Sequence, residues 1–175
     1  MNEYIEIEYR KSEVQEYVIE LLTLGICNLF LKGSFINSWD VLTASYQCEG
    51  YRRLDTMEWI SAEDALSVVT ALYMGVHQCG QYYIPDDSFE VESRYIYIRK
   101  DFSDVKVLYM PAQIGSSIAE KIADLLLHLA DKCSQEGAVY LRKCSEIVRE
   151  DRYGYKSVLH QLEKLRQEAY LCGIE

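Results

Sequence analysis

The side chains that most often carry chemistry are sparse in this sequence and poorly spaced for it. The three histidines, His77, His128 and His160, each fall inside a stretch of helical apolar periodicity, without the H-x-x-x-H or E-x-x-H spacing of a metal site. They are expected at surface or interface positions. The nine glycines build neither a G-x-S-x-G nucleophile elbow nor a G-x-x-x-x-G-K-[ST] phosphate loop. Acidic residues stand close together at Asp86-Asp87 and at Asp101 with Asp104, and their oxygens suit a hard cation. Both groups lie among turn formers, where Asp is favoured because it bonds its own backbone, so turns are their expected role. The six cysteines, Cys27, Cys48, Cys79, Cys133, Cys144 and Cys172, are at least eleven residues apart, so no C-x-x-C pair or zinc spacing exists. They are expected as reduced thiols of a cytosolic protein, packed as small hydrophobes. No residue is expected to act as catalyst, metal ligand or cofactor holder.

Tyrosine is the unusual component, fifteen of 175 residues. Tyr82, Tyr83, Tyr95 and Tyr97 fall on what read as the central strands. Rings at alternating strand positions either cover a half-buried sheet, with hydroxyls reaching water, or offer a partner a stacking surface. The second use makes these four tyrosines the candidate protein-interaction surface, since tyrosine is enriched in interface cores.

The elements that must position such residues follow from composition and periodicity. With 49 % apolar residues, a formal net charge of −10 and two prolines, the chain is a globular domain. An acidic protein lacks the clustered Lys and Arg that displace counterions from phosphates, which argues against nucleic acid and anionic membranes as partners. The longest apolar stretch, Val18 to Leu31, is interrupted by Glu20, Gly25 and Asn28 and is too short to span a bilayer. The acidic opening Met1-Asn2-Glu3-Tyr4 does not resemble a secretory leader, so a cytoplasmic location is expected.

Residues 3–9 alternate acidic with apolar side chains, the period of a half-buried strand with glutamates guarding an edge. Ser12 with Gln15 reads as a capping box for a helix over 12–24 that Gly25 stops. Residues 28–47 read as a hairpin turning at Asn37-Ser38, and 51–59 as a polar connection with one helical turn. Ser61 with Asp64 caps a long amphipathic helix over 61–79, ended by Gly80 as a left-handed cap. Short β-like pieces follow at 82–84, 89–91, 95–98 and 105–110, the last two joined by a turn at 100–104. Helical patterns begin near Ser117, Val139 and Val158. The order of elements predicts an α+β fold in two lobes.

This order resembles part of a protein kinase. LTASYQCEGYRRL, the capped helix SAEDALSVVTALYMGVHQCG and two β-pairs ending VKVLYM are similar to the hinge strand, the first long helix of the C-lobe and the strands around the catalytic loop. More closely, DDSFEVESRYIYI at 86–98 and VYLRKCSEIV at 139–148 resemble the kinase-like domain of unknown function that precedes forkhead-associated (FHA) domains in Clostridia and related Firmicutes. That family is itself similar to the pseudokinase domain of the type VII secretion subunit EssB/YukC. The resemblance covers roughly residues 3–165 and implies a truncated kinase-like two-lobe fold. Residues 1–59 would form an N-lobe of sheet and helix, and 60–175 a mainly helical C-lobe, within one structural unit.

Kinase roles laid on these positions go unfilled. Phosphoryl transfer needs a glycine loop, a strand lysine paired with a helix glutamate, a base, and Asn and Asp for magnesium. Here Tyr9-Arg10-Lys11 runs directly into a helix, and Gln81-Tyr82-Tyr83-Ile84-Pro85 replaces His-Arg-Asp. Tyr109-Met110-Pro111 carries no carboxylate at the metal position, and Asp101-Phe102-Ser103 imitates D-F-G on the wrong side of the final strand. The resemblance therefore implies a catalytically inactive protein-interaction module with an unidentified protein partner, in bacterial signalling or secretion-system assembly. Longer family members continue into a membrane segment and an FHA domain, so tethering to a membrane would come through regions or partners outside this sequence. The alternative is a small-molecule sensor using the interlobe cleft.

Overall fold

The computed structural model describes residues 4–84, 89–111, 116–150 and 154–174. The alternation of the first segment gives β1 (Tyr4–Arg10), an edge strand paired antiparallel with β3 (Val41–Gln47), which pairs in turn with β2 (Gly33–Ser38). Glu6 and Glu8 face Ser45 and Thr43 on one side of this sheet. On the other side, Tyr9, Leu42, Ala44 and Tyr46 are buried. Helix α1 (Glu16–Leu24) packs against β2 and buries Val18 and Leu22.

Two local expectations shift here. The first helix begins at Glu16 rather than residue 12, because Lys11–Glu13 forms a separate 3₁₀ turn whose Glu13 carboxylate accepts from the Arg10 N–H. Val14 then takes an extended backbone that buries its side chain. The hairpin turns at Trp39-Asp40 and not at Asn37-Ser38, with Trp39 in the left-handed region at φ 51° and almost fully in water. That register keeps Leu42, Ala44 and Tyr46 on the covered face, and a one-residue slip would expose them all. Gly25 stops α1 as expected, at φ 67° with its N–H on the Leu21 carbonyl.

The second sheet has the order β4 (Tyr51–Arg53), β5 (Ile96–Arg99) and β6 (Val105–Val107), all antiparallel. It draws its strands from both sides of residue 59, so the two expected parts share a sheet as well as a core. Asn28–Leu31, expected as a strand, instead lies along β6. Leu31 N–H donates to the Val107 carbonyl at 3.0 Å, and Val107 N–H to the Leu29 carbonyl at 2.7 Å. The pieces expected at 82–84 and 89–91 are not strands either: Gly80–Tyr82 is a 3₁₀ turn, and 89–91 is irregular with Phe89 and Val91 buried.

Helix α2 (Ala62–Cys79) forms as expected, with the Ser61 hydroxyl accepting from Asp64 N–H at 3.1 Å. Gly80 is right-handed and carries the chain on into the 3₁₀ turn; the left-handed residue is Tyr83. Leu66, Val69, Leu72 and Val76 are buried. Around α2 pack α3 (Ile118–Ala130), α4 (Gln135–Glu150) and, most extensively, α5 (Tyr155–Cys172). Ser117 and Glu120 form a full capping box at the start of α3. Among the described residues, no helix is long and apolar enough to cross a membrane.

Candidate functional site

The four tyrosines of the expected interaction surface differ in exposure. Tyr97 is the only one in a strand, and at 5 % exposure it belongs to the core; burial pushes its phenol up to about 12. It is therefore removed from the candidate surface. The β-period misled here because both faces of β5 are covered, so Ile96, Tyr97 and Ile98 are all buried. Tyr95 is half-buried in a 3₁₀ turn, with the Arg94 guanidinium 4.7 Å from its ring centre. Tyr82 is half-buried at the end of the turn after α2, and Tyr83 is 87 % exposed. Tyr83 is held at φ 59° while its carbonyl accepts from the Tyr17 hydroxyl at 3.0 Å. Tyr82, Tyr83 and Tyr95 are what remains of the expected surface, with the exposed Tyr17 bonded to Tyr83.

Asp101-Phe102-Ser103 lies in the turn between β5 and β6, as the sequence indicates. Asp101 is fully exposed and accepts from the Ser103 hydroxyl at 2.7 Å and the Ser103 N–H at 3.2 Å. These bonds, the hydroxyl's first, lower its carboxyl pKa. Its carboxylate is spent on its own turn. The Asp86-Asp87 pair lies outside the described residues. Among those that are described, no group of three His, Cys, Asp or Glu side chains could hold a metal ion. The histidines are exposed on α2, α3 and α5; His77 stacks on Tyr155 at 3.5 Å and His128 bonds the Ser93 hydroxyl at 3.1 Å.

Between the two sheets runs a cleft of about 400 Å³, reached by Tyr4 and Gln47 from the first sheet and by Tyr51 and Lys106 from the second. Gly25, Asn28 and Lys32 close one side of it. Of its charged lining groups, Lys32, Glu49 and Lys106, the last is already committed. Lys106 Nζ donates to the Asn28 carbonyl and lies 3.5 Å from an Asp104 oxygen, while the other Asp104 oxygen accepts from the Tyr51 hydroxyl. Partial burial and this carboxylate raise the Tyr51 phenol above its ordinary value. The cluster ties loop, β4 and β6 together. Sequence reading missed it because its members come from three separated segments, and the one hint was a lysine between two valines in VKV.

A second polar chain lies within the core. The Tyr9 hydroxyl donates to the Tyr109 carbonyl at 2.7 Å. Tyr46, 2.9 Å away, must then donate to Tyr9, whose single proton is in use. Burial drives both phenols well above their ordinary range. They serve as neutral hydrogen-bonding groups joining β1 and β3 to the segment after β6.

The cysteines also depart from expectation. Cys27, just beyond α1, and Cys79, the last residue of α2, form a disulfide, and Cys48, Cys133, Cys144 and Cys172 are not disulfide-bonded. A separation of 52 positions gave no spacing signal by which sequence could pair them.

No family pattern matches this chain, and no curated protein does. Among solved structures, it is similar to the ESSB cytoplasmic fragment of Staphylococcus aureus, at 11 % identity and a TM-score of 0.42, over 94 % of this chain and 92 % of that one.

Proposed function

We propose that the chain is a catalytically inactive, kinase-like protein-interaction module in bacterial signalling or secretion-system assembly, acting at the cytosolic side of a membrane. The observation that carries the inactive part is the junction after β1. The strand passes through one 3₁₀ turn, Lys11–Glu13, straight into α1, which leaves no glycine loop to cover a triphosphate and no strand to carry a lysine toward it. Of the two lysines that line the cleft, Lys106 is occupied by Asp104 and the Asn28 carbonyl. The segment after β6, Leu108-Tyr109-Met110-Pro111, offers no carboxylate for magnesium. The resemblance of 86–98 and 139–148 to the domain that precedes FHA domains supports the signalling or secretion context.

Isothermal titration with ATP and Mg²⁺ or Mn²⁺ tests the inactive part: neither binding nor γ-phosphate release is expected, and micromolar ATP affinity would overturn it. Triphosphates entering a cleft on a protein of charge −10 meet repulsion and lose hydration. The interaction surface proposed is Tyr82, Tyr83 and Tyr95, with Tyr17 beside Tyr83. Pull-down with Tyr83→Ala should lose the partner that the wild-type chain retains, and unchanged recovery by the folded variant would remove this surface. The cleft favours a second reading, a small-molecule sensor, and thermal-shift screening with polar metabolites checks it because a ligand of the native state raises the melting temperature.

A further inference from the structure

We propose that Cys27–Cys79 is a thiol–disulfide exchange site, a latch between the sheet-bearing start of the chain and the helical part that a dithiol reductant opens and a disulfide oxidant closes. The position of the bond gives it that leverage. Cys27 follows the left-handed Gly25 that ends α1, and Cys79 ends α2, so the bond closes a loop containing β2, β3, β4 and nearly all of α2. It pins the segment that walls the cleft at Gly25, Asn28 and Lys32.

The bond is also within reach. Both residues are buried, at 3 % and 1 % exposure, yet both line a hollow of about 360 Å³ together with Ile26, Gln78, Gln81 and Tyr82. A small dithiol fits such a hollow. Opening the bond does not dismantle the fold. Leu29 and Leu31 keep their backbone bonds to Val107, and Leu29 stays packed against Gly75. What loosens is the stretch between α1 and Leu29, where Ile26 is already exposed. Three of the other thiols are poor competitors for the exchange, and the fourth, Cys172, is exposed near the end of α5. Burial holds Cys133 up to about 11 and Cys144 up to about 12, so neither supplies much thiolate at neutral pH. Cys48 is buried. In a reducing compartment, a closed pair of this kind is a redox-responsive feature rather than a permanent staple.

The exchange balances. One thiolate of the dithiol attacks one cysteine sulfur, forming a mixed disulfide and releasing the other cysteine as thiolate. The second dithiol sulfur then displaces the first cysteine, closing its own disulfide. Two electrons and two protons pass from the dithiol to Cys27 and Cys79.

The test uses the full chain with dithiothreitol as reductant under native conditions, followed by acid quench, alkylation in denaturant and peptide mass spectrometry. Without reductant, Cys27 and Cys79 should stay unlabelled and the other four cysteines should take label. After native reduction all six should be labelled, with the far-ultraviolet circular dichroism retained at 25 °C and the melting temperature lower by about 10 °C. Glutathione disulfide should restore the four-label pattern. Six labels without reductant, a bond that yields only in denaturant, or failure to re-form would each overturn the proposal. A Cys27→Ser/Cys79→Ser variant should melt where the reduced chain does, and melting with the oxidised chain would refute the latch. Should that variant not fold, the labelled, natively reduced chain still decides.

Discussion

Replacing Gly75 by alanine sets two effects of opposite sign against each other, and the structure says which should win. Gly75 lies inside α2, where glycine costs about 1 kcal/mol relative to alanine through backbone entropy. On propensity alone, Gly75→Ala should therefore stabilise. A Cβ at this position, however, would stand 2.8 Å from Leu29 Cδ1 and 3.2 Å from both its Cβ and Cδ2. Leu29 cannot simply swing aside. It is 5 % exposed, and its carbonyl is fixed by the Val107 N–H at 2.7 Å. Overpacking of this kind costs about 1–3 kcal/mol. The net expectation is a loss of about 1 kcal/mol, read as a lower urea midpoint at unchanged m-value. Leu29→Ala alone should lose about 2–5 kcal/mol by leaving a cavity. In that background the contacts with the Leu29 methyls are gone and only the 3.2 Å approach to its Cβ remains, so Gly75→Ala should cost less than in the native chain, a coupling that a double-mutant cycle detects. Stabilisation by Gly75→Ala in the otherwise native chain would refute the close contact and the placement of the Leu29 segment that it describes.

Three further measurements bear on the fold. Leu72→Ala, at a fully buried position on α2, should cost about 2–5 kcal/mol in denaturant unfolding, and a loss below about 1 kcal/mol would show the face wrongly assigned. Tyr9→Phe should cost about 1–3 kcal/mol because it removes the donor to the Tyr109 carbonyl and the acceptor of the Tyr46 proton together, whereas Tyr46→Phe removes only a donor and should cost less. The larger loss in Tyr46→Phe would reverse the direction assigned to that chain. Stability should also fall in alkali. Burial holds Cys133 up to about 11, Cys144 up to about 12 and Tyr97 up to about 12, against ordinary values of 9.0 for the thiols and 10.0 for the phenol. Between those limits the unfolded chain binds fewer protons than the folded one, so unfolding becomes easier as pH rises from about 9 toward 12 and is unaffected below that window. A urea midpoint that rises between pH 8 and pH 10.5 would contradict the sign.

Elements dictated by local chemistry were legible in the sequence. Strand alternation placed β1, the Ser61 and Ser117 caps placed the starts of α2 and α3, and the polar stretch after Arg99 placed the turn holding Asp101. What failed was whatever depends on partners distant in the chain. Asn28–Leu31 has the composition of a strand, yet its backbone groups go to Val107 and not to a hairpin neighbour. Tyr97 alternates as an exposed residue would, but the second sheet is covered on both sides. The dominance of α5 over α3 and α4 as the cover for α2 depends on where the C-terminal helix returns, which periodicity does not encode. The Lys106–Asp104–Tyr51 cluster and the Cys27–Cys79 bond are likewise products of topology, each joining segments more than fifty residues apart.

The composition of the second sheet constrains how the chain can be made. β5 starts at residue 96 and β4 at residue 51, so on a translating ribosome β4 emerges 96 − 51 = 45 residues before its neighbour. At about 5–20 residues per second that is a wait of roughly 2–9 s. The first sheet needs nothing beyond Gln47 for its own pairing and can assemble during that interval. Tyr51–Arg53 cannot, and this arginine-bearing strand stays without a ladder while α2 is being synthesised beside it. Its two positive charges, Arg52 and Arg53, keep that nascent stretch hydrated and discourage premature pairing with the wrong edge.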